Sequence, residues 1–125
     1  MIKFEDPWQF DIQKEVDNIK VNYLRLMELS QGGPEIGSIM INNKEIEKFK
    51  FGGPLIFQDK FIYVPIYIKK LFYSGFKIAI INVETFNIVQ LGKIKDLIFL
   101  EKIEKNKVIY YENRNKTIKK YYDLN

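Results

Sequence analysis

The chain is punctuated at short intervals by residues that turn the backbone, and this rhythm constrains its fold more than any other feature. Ile39-Met40-Ile41 runs into Asn42-Asn43, a pair that tolerates the positive φ of a tight hairpin. Lys44 to Phe51 returns and closes on Gly52-Gly53-Pro54, and Leu55-Ile56-Phe57 reaches the turn Gln58-Asp59-Lys60. Phe61 to Ile68 is the clearest strand, with Ile62, Val64, Ile66 and Ile68 on one face and Phe61, Tyr63, Pro65 and Tyr67 on the other. After a loop from Lys69 to Gly75, Phe76 to Val83 is apolar on both faces apart from Lys77 and Asn82, as a central strand is. Glu84-Thr85 leads into Phe86 to Leu91, which Gly92-Lys93 is expected to end. Leu97 to Glu104, Lys107 to Glu112 and Lys116 to Tyr122 complete a meander, turning at Lys105-Asn106 and at Asn113-Arg114-Asn115.

Turns spaced about eight to twelve residues apart fit antiparallel strands and leave no room for crossover helices. The expected fold is mainly β, with residues 1–125 forming one domain. It is an antiparallel sandwich or barrel-like meander of about eight strands. The abundance of isoleucine, phenylalanine and tyrosine supports this, since these side chains suit a pleated surface. The first thirty residues are ambiguous. Ile12, Val16, Ile19, Tyr23 and Leu26 step at helical spacing, whereas Val21 to Leu29 also reads as a strand with Leu24, Leu26 and Glu28 on one face. A short helix or irregular segment near 9–19, followed by a strand over 21–29, is expected. The repeated Gly32-Gly33-Pro34 and Gly52-Gly53-Pro54 read as turns leading into edge strands. Neither is a phosphate loop, because no Gly-Lys-Ser/Thr follows and no helix start is near.

What the chain lacks narrows its chemistry. It contains no cysteine and no histidine, so thiolate chemistry, disulfides, the usual neutral-pH base and the commonest metal ligands are all missing. An enzyme would have to run on carboxylates, lysine, tyrosine or hydroxyls, and the two buried, facing acids of carboxylate-only catalysis are not announced. A carboxylate-dependent enzyme or small-ligand binder would place its pocket near Glu28 and Glu35. A non-enzymatic binding protein with no cofactor and no transition-metal site is expected. No run approaches the ~20 apolar residues that span a bilayer. The start, Met1-Ile2-Lys3-Phe4-Glu5-Asp6-Pro7, has acids where a signal peptide needs cations, so a cytoplasmic location is expected.

The net charge of +4 is uneven: residues 1–30 carry four Lys/Arg against six Asp/Glu, and residues 91–125 carry nine against five. Lys116, Lys119, Lys120, Tyr121 and Tyr122 combine cations with aromatics, as single-strand nucleic-acid grooves do. Lysine is equally the guard of an exposed edge strand, and weak, nonspecific nucleic-acid binding at most is expected.

Four residues stand out as candidates for partner binding: Glu28, Glu35, Tyr63 and Tyr67. Glu28 and Glu35 flank the first glycine turn. They either accept its N–H groups or pair with a partner's cations. Tyr63 and Tyr67 lie opposite a complete aliphatic face, with Phe72 and Tyr73 in the next loop and Trp8 near the N-terminus. They either anchor an interface or fill a second small core.

The run Tyr23-Leu24-Arg25-Leu26-Met27-Glu28-Leu29-Ser30-Gln31-Gly32-Gly33-Pro34-Glu35-Ile36-Gly37 resembles a segment of small bacterial immunity proteins from polymorphic and contact-dependent toxin systems. Phe51-Gly52-Gly53-Pro54 and Phe76-Lys77-Ile78-Ala79-Ile80-Ile81-Asn82-Val83 resemble the same proteins, so the likeness covers about residues 20–90. The resemblance implies a compact β protein that binds a cognate toxin domain, often a nuclease, and blocks its active site or substrate groove. A basic nuclease would call for an acidic face. In this chain the acids of residues 1–30 would have to supply it.

Overall fold

The computed structural model describes residues 4–125; Met1-Ile2-Lys3, part of the start read above as lacking a signal peptide, lies outside them. Eleven strands are present among the described residues, and every pairing between them is antiparallel. They are β1 (Gln13–Val16), β2 (Ile19–Glu28), β3 (Glu35–Ile41), β4 (Lys44–Phe51), β5 (Ile56–Gln58), β6 (Phe61–Lys69), β7 (Ser74–Asn82), β8 (Ile88–Lys95), β9 (Phe99–Glu104), β10 (Lys107–Tyr111) and β11 (Lys119–Asp123). The larger sheet runs β1-β2-β3-β4-β6-β7-β8, with β5 also paired to β6, and curls into a half-barrel. The smaller sheet has the order β11-β10-β9.

Of the two alternatives for residues 9–19 the helix is absent: residues 10–12 are irregular and residues 13–28 form the β1–β2 hairpin. Asp17 and Asn18, with φ of 51° and 67°, make its two-residue turn, and this local chemistry overrides the helical spacing. Ile12 and Val16, two of the five residues of the supposed helical stripe, are exposed. The expected common face of Leu24, Leu26 and Glu28 is also broken. Leu24 pairs with Ser38 but Met27 pairs with Ile36, so Arg25 and Leu26 together oppose Gly37 and form a bulge. Arg25 takes a φ of 54° there, and a Cβ on Gly37 would sit 2.7 Å from the Leu24 carbonyl. Gly92-Lys93 does not end its strand either. Gly92, with φ 79°, lies inside a bulge of β8, which continues to Lys95.

The alternation along β6 divides two cores. Ile62, Val64 and Ile66 enter the first, inside the curl, with Val21, Tyr23 and Ile39. Tyr63 belongs to the second, on the other face, where Ile98, Leu100, Val108 and Tyr110 bring the smaller sheet against the larger one. β7 divides in the same way, with Ala79 and Ile81 in the first core and Phe76 and Ile78 in the second. β6 and β7 are therefore covered on both faces, which explains their continuous apolar sequences.

The N-terminal segment straps the two glycine turns. Pro7 accepts from the Glu35 amide at 3.0 Å, and the Trp8 indole donates to Gly32 at 2.7 Å. Phe10 covers Gly53, where an added Cβ would lie 2.7 Å from the ring. Phe10 also meets Tyr23 at a ring separation of 4.7 Å, and the Tyr23 hydroxyl donates to the Gly52 carbonyl at 2.7 Å.

Candidate partner-binding surface

The two-residue hairpin turns in this chain obey turn chemistry. The two-residue hairpins use Asp17-Asn18, Asn42-Asn43, Asp59-Lys60 and Lys105-Asn106, and each pair includes residues suited to positive φ. The turn joining the central strands β6 and β7 is instead Lys70-Leu71-Phe72-Tyr73, closed by the Lys70 amide donating to the Tyr73 carbonyl at 2.9 Å. Leu71 is 89% exposed, Phe72 91% and Tyr73 61%. Single exposed apolar residues are ordinary, but three consecutive ones at a tip have no use in folding.

This tip projects from the sheet. The last β4 partner of β6 is Tyr67, opposite Lys50, and the last β8 partner of β7 is Phe76, opposite Lys95. Beyond them β6 and β7 pair only with each other, as far as Lys69 and Ser74. At about 3.3 Å per residue, two further residue pairs and a turn carry the tip on the order of 10 Å past its neighbours. At its base lies a groove of about 540 Å³ walled by Met27, Ile36, Phe49, Tyr67 and Ile68, with Lys48, Lys50 and Lys69 around it. Met27 is 54% exposed, so the apolar surface continues from the groove outward.

The four sequence candidates separate here. Tyr67 lines the groove and packs on Phe76 at a ring separation of 5.6 Å. Tyr63 is 7% exposed in the second core, and burial, reinforced by the nearby Asp59 carboxylate, raises its phenol pKa. Glu28 and Glu35 are direct cross-strand neighbours. The groove-lining residues Met27, Leu29 and Ile36 alternate with them, so both carboxylates point to the opposite face of β2–β3. Glu28 accepts from the Gly32 amide at 3.2 Å, the turn-supporting contact that its sequence position allows. The structure thus brings Tyr67 together with the tip and leaves the two glutamates behind the groove. Sequence reading noted Phe72 and Tyr73 but passed over Leu71, Met27 and Phe49. The available signal was an apolar tripeptide where turn chemistry calls for Asn, Asp or Gly.

The N-terminal acids are largely engaged within the chain. Glu5 pairs with Lys14 at 2.7 Å, and Asp6 pairs with Arg114 at 2.9 Å, while the Arg114 guanidinium lies 4.6 Å from the centre of the Trp8 ring. Trp8 therefore serves as a tie between chain segments.

A second surface lies on the smaller sheet. A shallow pocket of about 400 Å³ is lined by Lys105, Lys107, Ile109, Lys119, Lys120 and Tyr121, with Glu104 beside them. Lys107 stacks on Tyr121 at 4.6 Å, Lys119 lies 3.8 Å from Glu101, and β11 is an edge strand. Among the described residues no group of three acids, histidines or cysteines could hold a metal ion, and no helix is long and apolar enough to cross a membrane. Comparison with family models, with curated proteins and with solved structures gives no match.

Proposed function

We propose that this chain is a non-enzymatic immunity protein that binds and neutralises a cognate bacterial toxin domain in the cytoplasm. The observation that carries this reading is the projecting Leu71-Phe72-Tyr73 tip beside the Tyr67 groove. Large apolar side chains held out in water at the end of a hairpin are the material of binding anchors, since burying each contributes about 1.5–3 kcal/mol. The inventory of side chains favours binding over catalysis, and the resemblance of residues 20–90 supplies the kind of partner. In this reading Tyr67 contacts the toxin and Tyr63 supports it from beneath, while Glu28 and Glu35, on the opposite face of β2–β3, lie outside the contact.

The test is co-expression with the product of each adjacent gene. Rescue of growth from a toxic neighbour, together with co-purification as a complex, is the expected result. A chain that neither binds nor protects against either neighbour ends the proposal.

A second reading, a nucleic-acid-binding protein, has its own observation in the lysine-rich pocket around Tyr121. Tight, salt-sensitive binding of a single-stranded oligonucleotide that is lost in Lys107→Ala/Lys120→Ala would favour it.

A further inference from the structure

Resting on the toxin-binding reading, we infer that the toxin surface covered by this chain is a concave, acidic cleft with an apolar pocket, plugged by the β6–β7 tip. Charge carries the inference. Residues 61–83, the whole of β6, the tip and β7, contain three lysines and no Asp or Glu. The groove at its base adds Lys48 and Lys50, and no carboxylate lines it. None of Lys48, Lys50, Lys69 and Lys70 is in an ion pair among the described residues. Lys50 donates to the Ser38 hydroxyl at 3.2 Å, and Lys48 lies 5.7 Å from the centre of the Phe49 ring. These four lysines thus stand outside the ion pairs of the described residues, and a complementary partner supplies carboxylates.

Shape gives the second half. A projecting wedge buries Leu71 and Phe72 fully only where the partner is hollow, and Lys69 and Lys70 at the root of the wedge then meet the rim of that hollow. An acidic inhibitory face built from Glu28 and Glu35, suited to a basic nuclease surface, does not fit. Those carboxylates point away from the groove, and Glu5 and Asp6 are already paired with Lys14 and Arg114. Neutralisation then consists of filling a carboxylate-lined cleft, with the lysines standing where the toxin would otherwise hold a cationic substrate group or metal ion.

The probe is the purified toxin domain encoded by the adjacent gene, bound to the full chain at increasing salt. Phe72→Ser should speed dissociation about 30-fold, as loss of a buried anchor does. Lys69→Glu/Lys70→Glu should slow association about tenfold and reverse its salt dependence. Glu28→Gln/Glu35→Gln should leave both rates unchanged, and thermal melts should match wild type for the exposed tip variants. If wild type binds but the tip variants bind equally well, or the glutamate variant alone loses binding, the inference is wrong and the toxin-binding reading stands. If wild type does not bind the adjacent gene product, the reading itself fails and the inference falls with it.

Discussion

At the scale of single residues, the two tyrosines of β6 have different roles. Tyr63 belongs to the second core, so Tyr63→Ala should cost about 3–5 kcal/mol, as truncation of a core aromatic does, measured by urea unfolding. A loss smaller than about 1 kcal/mol would mean that the second core is not closed in solution. Tyr23 contributes differently, through its hydroxyl. Removing it in Tyr23→Phe strips the buried Gly52 carbonyl of its partner at 2.7 Å and should cost about 1–2 kcal/mol with packing otherwise kept. The sequence disclosed that β6 has two apolar faces. What covers the second face was not legible, because Ile98, Leu100, Val108 and Tyr110 lie far along the chain. Glu28 was better defined in advance, since a carboxylate beside a glycine turn has amides within reach.

At the scale of elements, the hairpins were readable wherever Asn or Asp marked a corner, and Asn42-Asn43 and Lys105-Asn106 sit where expected. Failures arose from bulges and from accidental periodicity. Ile12, Val16 and Ile19 match a helical stripe by spacing alone, and the Asp17-Asn18 turn decides against it. The bulges opposite Gly37 and at Gly92 leave no mark that distinguishes them from strand ends. Close approach across β7–β8 supplies a test. A Cβ on Gly75 would lie 2.3 Å from the Lys95 carbonyl oxygen, a backbone atom that cannot swing aside. Gly75→Ala should therefore destabilise by about 1–3 kcal/mol and lower the melting temperature, whereas Leu71→Ser, in the exposed turn beyond the last strand pair, should shift stability by less than about 0.5 kcal/mol. An unchanged melt for Gly75→Ala would contradict the β7–β8 register.

For the whole molecule, sharing of β6 and β7 between both cores couples the sheets. Heating should give one transition, coincident by far-UV and near-UV circular dichroism, and separate midpoints would show the smaller sheet melting alone. Alkali should weaken the same unit. Burial raises the phenol pKa of Tyr23 strongly, with Glu5 adding to it, and burial also raises those of Tyr63 and Tyr110. The Lys95 ammonium is held above its usual range by its close contact with the Glu112 carboxylate, 3.1 Å away. Each group binds its proton more tightly folded than unfolded, so its contribution is intact below about pH 10 and declines as pH rises toward the folded values. Melting temperature should fall as pH rises above about 10, and phenolate absorbance should rise together with unfolding. A melting temperature constant across that range would refute the assignment.

The ion pair of Arg114 with Asp6 spans 108 residues of sequence, and it bears on how the protein emerges during synthesis. The β6–β7 hairpin can pair as soon as it leaves the ribosome, because its contacts are local. The strap over the glycine turns must wait for its tie until the β10–β11 connection has been translated, and the second core waits for the same stretch. A nascent chain stalled before residue 99 would present the finished lysine-edged tip on a body whose second core still faces water.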